Sequence, residues 1–181
     1  MKQALAYVMF FGMVFSLPAA ADDSSLQFNH GIGVDPITCP AAPAVCAGAG
    51  TVVLNVVRGQ QPGGQIWAIN KLKAQVSANG SIQVSGKGLV LAGGNSAGGI
   101  PTPAPNVLAD LICQTAAGSP PTYTYSMTSL TGVTLSPTGD FQINDMLSSP
   151  PPVPCTNPLL LIQSATNLHW FALGIVGSSD D

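Results

Sequence analysis

The segment from Lys71 to Gly94, KLKAQVSANGSIQVSGKGLVLAGG, constrains the fold of this 181-residue chain more than any other. It contains Asn79-Gly80, a dipeptide that is the strongest short-range signal for a β-hairpin. A two-residue loop would place apolar side chains opposite polar ones, which burial of one face forbids. A three-residue loop with Gly80 in the left-handed conformation instead puts Val76 opposite Ile82. We therefore predict a hairpin in that register.

A similar pattern recurs later in the chain. Residues 133–143, VTLSPTGDFQI, match residues 74–84, AQVSANGSIQV, and Gly139 takes the place of the first turn glycine. The match predicts a second hairpin in which Leu135 lies opposite Phe141. Either the domain has two pseudo-equivalent halves, or two hairpins have converged on the same turn residues.

The composition favours strands over helices throughout the chain. Charged residues make up 7% of the sequence, against about 25% in an average globular protein. Glu is absent and Lys and Arg are scarce, while Val, Ile, Thr, Gly and Pro are abundant. Residues 51–57, TVVLNVV, are apolar on both faces and predict a central strand. We predict one all-β domain over residues 51–177, an antiparallel β-sandwich of generally immunoglobulin-like architecture.

The N-terminal residues have the pattern of an export signal. Lys2 precedes an apolar run at residues 4–17, and Ala19-Ala20-Ala21 then places small residues before Asp22. This pattern predicts a signal peptide over residues 1–21 and a secreted or periplasmic protein. No later stretch is long and apolar enough to predict a membrane span. We expect residues 22–50 to be irregular and the tail at 178–181 to be disordered.

Four cysteines follow the predicted cleavage point. They allow three pairings, which the sequence does not distinguish. Cys39 and Cys46 bracket a short loop, whereas Cys113 falls on the inward-facing side of an alternating strand and Cys155 just precedes another strand. Because the predicted export route permits disulfides, we expect the bridges Cys39–Cys46 and Cys113–Cys155.

The charge balance limits the classes of partner. The formal net charge is −3, which argues against nucleic acid or an anionic membrane as a partner. The low charge density permits self-association, so a subunit of an extracellular filament is one alternative. We predict a binding, adhesive or structural module with a protein or glycan partner. Its contact surfaces would be the loops at residues 93–105, 118–121 and 148–154, because loops vary without disturbing a core.

Four aromatic residues could stack on a sugar or could equally belong to the core: Trp67, Tyr123, Tyr125 and Trp170.

One motif has the form of a catalytic site. Residues 94–99, GNSAGG, contain G-x-S-x-G around Ser96 and follow an apolar strand. The motif resembles the nucleophile elbow of α/β-hydrolase esterases, in the hormone-sensitive-lipase-like branch. That resemblance implies a triad of Ser96, then Asp140 or Asp145, then His169. The elbow requires a helix after the serine, which residues 100–105, IPTPAP, cannot form. A small serine hydrolase is therefore the alternative, and we predict no catalytic residues.

No metal site or cofactor is predicted. The two histidines, His30 and His169, are far apart in the chain and lack the spacing of metal ligands.

Asp110 is unusual because it lies within an apolar strand, where an unpaired buried charge would be costly. We expect it to face solvent, with a pairing to Lys71, Lys73 or Lys87 as the alternative.

Overall fold

The computed structural model describes residues 25–38, 53–94 and 97–177. These residues form thirteen β-strands and no helix. The strands are β1 (Leu26–Gly33), β2 (Ile37–Thr38), β3 (Val53–Leu54), β4 (Trp67–Ala68), β5 (Lys71–Val76), β6 (Ser81–Lys87), β7 (Val90–Leu91), β8 (Asn106–Ala116), β9 (Thr122–Met127), β10 (Val133–Thr134), β11 (Phe141–Met146), β12 (Thr156–Ser164) and β13 (Trp170–Val176). The predicted signal peptide, the Cys39–Cys46 bridge, Ser96 and the tail at 178–181 lie outside the described residues.

Nine of the strands belong to one antiparallel sheet. Its order is β10-β8-β12-β13-β1-β5-β6-β11, and β9 pairs with β8 alongside this path. Two smaller pairings, β2 with β3 and β4 with β7, complete the described strands. The predicted fold class, all-β and antiparallel, is confirmed, and the nine strands of the main sheet form one curled sheet.

The two ends of the curled sheet meet along a line that we call the seam, where β9 and β10 approach β11. At one end of the seam the amide of Ser136 donates to the carbonyl oxygen of Asp140 at 3.0 Å. At the other end the amide of Ser148 donates to the carbonyl oxygen of Met127 at 2.8 Å. These contacts hold the first and last strands of the sheet together.

The β5–β6 hairpin has the predicted register. Val76 pairs with Ile82, and the ladder continues to Lys71 opposite Lys87. The amide of Ser77 donates to the carbonyl oxygen of Ser81, which leaves a three-residue loop between them. Gly80 ends that loop with a φ of +89°, a conformation that disfavours any residue with a Cβ atom.

The second predicted hairpin is wrong beyond its turn. Gly139 has a φ of +78°, like the first turn glycine. Past the turn, however, β10 pairs with β8 and β11 pairs with β6, so Leu135 and Phe141 do not share a ladder. Phe141 instead lies opposite Gly86, whose missing side chain makes room for the aromatic ring. The same local pattern thus connects the two ends of the curled sheet.

Alternation along β5 and β6 directs one face of each strand into the core. In β5 the side chains of Leu72, Ala74 and Val76 are buried, while the residues between them are exposed. Phe28 of β1 and Leu160 of β12 are fully buried in the same core. The outward-facing positions of β5 and β6 are consequently polar.

Two sequence expectations about the N-terminal part are corrected. Residues 22–50 were expected to be irregular, yet residues 26–33 form β1, which lies between β13 and β5. Residues 51–57 were expected to form a central strand. Only Val53 and Leu54 of the described residues there are in a strand, and both are exposed. Among the described residues they pair with β2, so Val53 and Leu54 lie outside the main sheet.

The predicted bridge between Cys113 and Cys155 is present, with their Cα atoms 5.1 Å apart. Cys113 lies in β8, and Cys155 immediately precedes β12, which pairs with β8. Because the two strands are neighbours, the bridge reinforces an existing contact. A search of the described residues for a helix long and apolar enough to cross a lipid bilayer found none.

Candidate functional site

A row of four amide side chains crosses the outer face of the sheet. Gln27 of β1 pairs with Gln75 of β5, which pairs with Gln83 of β6, which pairs with Asn144 of β11. All four side chains are exposed. Within the described part of the chain, no side-chain hydrogen bond engages them. We call these four residues the amide row. No described side chain occupies their donors and acceptors, which suit a polar ligand.

Two further rows lie beside the amide row on the same face. Lys73 pairs with Ser85, which pairs with Gln142. One step further along the strands, Lys71 lies directly opposite Lys87. We call Lys71, Lys73 and Lys87 the lysine cluster. They are three of the four Lys and Arg residues in the described part of the chain.

The three rows line adjoining depressions in the protein surface. The central depression, of about 370 Å³, is lined by the amide row together with Lys73, Ser85 and Gln142. A second, of about 310 Å³, shares Asn29 and Lys73 with it and also contains Lys71. A third, of about 430 Å³, shares Ser85 and Gln142 with the first and contains Lys87. Together they form an open groove across β1, β5, β6 and β11, which we call the polar groove.

Carboxylates are scarce along the polar groove. Neither of the first two depressions contains one. The third contains Asp140, whose Oδ1 accepts a hydrogen bond from the amide of Gly88 at 3.0 Å. That carboxylate holds the turn after β6 in place and lies at the end of the groove near Lys87. The remaining described length of the groove is neutral or basic.

The described candidates for the hydrolase-like triad, Asp140, Asp145 and His169, each form hydrogen bonds with different partners and not with one another. Asp140 precedes β11 and holds the amide of Gly88, as above. His169 precedes β13, and its backbone amide donates a hydrogen bond to Asn167 Oδ1 at 3.2 Å. None of the described hydrogen bonds joins Asp140 or His169 to the other. Asp145, the other candidate acid, accepts a hydrogen bond from the amide of Ser129 at 2.8 Å.

The prediction that Asp110 faces solvent is wrong. Its exposed fraction is 1%, because β8 is covered on both faces along most of its length. Gln163 donates from Nε2 to Asp110 Oδ2 at 3.4 Å and to Gln60 Oε1 at 3.2 Å. Burial raises the pKa of Asp110 to about 6, against smaller lowering effects of hydrogen bonds from the Ser126 backbone and the Gln163 side chain. The described polar partners of Asp110 are therefore neutral groups rather than lysines.

The four candidate stacking aromatics divide between the core and the surface. Trp67 and Trp170 are buried, and the Trp67 ring stacks on Phe171 with centroids 4.3 Å apart. Tyr123 is half-buried beneath the guanidinium of Arg58, 5.1 Å from the ring centroid. Tyr125 is exposed, and its hydroxyl donates to the carbonyl oxygen of Arg58 at 2.9 Å. None of these rings lines the polar groove.

The polar groove was not recognised from the sequence. Its signal is the strict alternation in KLKAQV and SIQVSGK, which fixes one face of each strand as polar. The joining of β1 and β11 to that hairpin depends on long-range pairing, which the local pattern does not reveal. In the residues described, no cluster of His, Cys, Asp and Glu has the makings of a metal site.

Comparison of the chain with protein-family models, with curated proteins and with solved structures found no match.

Proposed function

We propose that this is an exported, non-catalytic binding protein whose polar groove holds a glycan. The amide row is the observation that carries the proposal. Each amide offers both a donor and an acceptor, which suits the hydroxyl groups of a sugar, since these also donate and accept. The four amides lie on neighbouring strands and make no described side-chain hydrogen bonds, so binding would not have to break internal ones.

The rigidity of the groove supports a binding role. Its side chains stand on paired strands whose opposite faces carry core residues such as Leu72 and Ile82. A preformed site loses less conformational entropy on binding than a loop that must be ordered. This favours the sheet face over the loops expected from the sequence as the main contact surface.

The export part of the proposal is supported by the disulfide. A bridge between Cys113 and Cys155 is stable in an oxidising compartment and rare in the cytosol. The N-terminal pattern of residues 1–21 is in keeping with secretion or a periplasmic location. Detection of mature protein that begins at Asp22 in a culture supernatant or periplasmic extract would test this part.

The alternative function, a serine hydrolase, is tested by a separate experiment. A fluorophosphonate probe that labels the protein, with labelling abolished in Ser96→Ala, would establish a nucleophilic serine. Absence of labelling leaves the binding proposal in place.

A glycan array probed with the purified, oxidised protein tests the proposal. We expect binding that the double variant Gln75→Ala/Gln83→Ala weakens by tenfold or more, because each lost hydrogen bond is worth about 1 kcal/mol. Gln65→Ala is the matched control, because Gln65 is an exposed amide that does not line the groove. The proposal would be overturned if the protein bound no glycan, or if Gln75→Ala/Gln83→Ala bound the glycan as tightly as the control Gln65→Ala.

A further inference from the structure

The lysine cluster is an unfavourable arrangement in the isolated protein. Lys71 and Lys87 lie directly opposite each other in the β5–β6 ladder, where like charges repel. Lys73 lies two residues from Lys71 on the same face of β5, so it adds to the repulsion. The carboxylate that lines the groove, Asp140, already accepts a hydrogen bond from the Gly88 amide. A bound anion would relieve this repulsion.

The cluster also contrasts with the rest of the chain. The formal net charge is −3, yet most of the described basic residues occupy one face of two strands. A basic patch attracts anionic groups locally even where the net charge of the protein is negative. Charge complementarity thus favours an anionic ligand in the polar groove rather than a neutral one.

The rows of the groove favour a linear ligand. Neighbouring strands are about 4.8 Å apart, so the amide row presents one amide at each such step across four strands. Residues two apart on one strand are separated by about 6.6 Å, which sets the spacing between the amide row, the Lys73 row and the Lys71–Lys87 pair. An extended chain of sugars, whose units repeat at a similar spacing, could run across the strands.

We infer that the ligand is a linear anionic polysaccharide that lies across β1, β5, β6 and β11. Its hydroxyl groups bond to the amide row, and its acidic groups lie against the lysine cluster. Asp140 repels acidic groups at one end of the groove, so the closest ion pairs form with Lys71 and Lys73. This inference rests on the proposed function, because it names the class of glycan that the same groove would bind.

Titration of the protein with polygalacturonate and with its fully methyl-esterified, neutral form tests the inference. We expect the acidic form to bind about tenfold more tightly at low salt, and this preference to shrink as salt is added. The triple variant Lys71→Gln/Lys73→Gln/Lys87→Gln should bind the acidic and the esterified forms with equal affinity. Dextran sulfate, run in parallel, distinguishes recognition of sulfate groups from recognition of carboxylates.

The control variant Gln65→Glu/Ala117→Glu/Thr166→Glu matches the change in net charge at exposed positions outside the groove. It should keep the preference for the acidic form. Thermal unfolding of all variants confirms that they are folded. If the lysine variant keeps the preference, or the control loses it equally, the inference is overturned.

The remaining outcomes separate the inference from the proposed function. Equal binding of the acidic and esterified forms overturns the inference and leaves glycan binding intact. Absence of binding to any polysaccharide overturns both. Binding of a DNA duplex as tight as that of polygalacturonate overturns the inference, because it shows a response to charge alone.

Discussion

Lys71 and Lys87 face each other directly across the β5–β6 ladder. Opposed like charges in a sheet are destabilising, so Lys87→Gln should raise the free energy of unfolding by about 0.5 kcal/mol at low salt. The gain should fade at about 1 M salt, where the screening length is only a few ångströms. Urea unfolding at both salt concentrations measures it. Thr166→Gln, an exposed substitution away from the cluster, should show no such salt-dependent gain, and a salt-independent gain in Lys87→Gln would contradict the explanation.

Burial of Asp110 should make the free energy of unfolding depend on pH. Its pKa is about 6 in the folded protein, because of burial, and 3.8 ordinarily. The folded state therefore binds the proton more tightly, and the free energy of unfolding should fall as pH rises from about 4 to above 6. The full fall corresponds to about 3 kcal/mol.

Asp110→Asn should remove that fall and stabilise the protein at neutral pH. Asp110 Oδ1 and Gln163 Oε1 are both buried without a donor among the described residues, and an asparagine amide can supply one. Chemical unfolding from pH 4 to pH 8 compares the variant with the parent. Asp35→Asn, at an exposed carboxylate, is the control. A parallel fall in Asp110→Asn and parent would show that another group is responsible.

The two turn glycines should differ in their tolerance of alanine. Both have positive φ, which costs about 1 kcal/mol for a residue with a Cβ atom. At Gly80 the new Cβ would meet Pro150 Cα at 3.3 Å, whereas at Gly139 it would lie 2.3 Å from the carbonyl oxygen of Leu89. We expect Gly80→Ala to lower the free energy of unfolding by about 1 kcal/mol and Gly139→Ala to lower it further. Equal losses in urea unfolding would contradict the described approach of Gly139 to Leu89.

Removal of the disulfide should destabilise the protein strongly. Cys113 and Cys155 are 42 positions apart, and closing a loop of that length stabilises the folded state by about 4 kcal/mol in the chain-entropy model. Cys113→Ala/Cys155→Ala should therefore lose several kcal/mol relative to the oxidised parent. Reduction would also break the predicted Cys39–Cys46 bridge, so the packing of Cys113 is measured by comparing the reduced parent with the reduced variant. Equal stability of the oxidised and reduced parent would show that the bond contributes little.

The local sequence pattern predicts those features of the fold that depend only on residues close together in the chain. The β5–β6 register followed from placing Val76 opposite Ile82, because one-face burial excludes the alternative. The same logic failed for Leu135 and Phe141, where β6 is a better partner for β11 than its own hairpin neighbour. The groove depends on that distant pairing, which brings Asn144 into line with Gln83.

Asp110 shows the other kind of failure. The sequence around it correctly indicated one buried face of β8, through Ala109 and Leu111. It could not show that the segment containing Arg58 and Gln60 contacts β8 and β12 from elsewhere in the chain. Burial of a second strand face is a tertiary property, and no short window of sequence contains it.

The seam has a consequence for assembly. An exposed strand edge can recruit a strand from another molecule, and proteins commonly protect such edges. Here the first and last strands of the sheet shield each other, and the Asp145 carboxylate accepts the amide of Ser129 across the junction. Addition of a strand from a neighbouring molecule at β11 would first require the contacts of the seam to break. Polymer growth by strand addition would therefore compete with the protein's own closure, whereas association through side chains would leave the junction untouched.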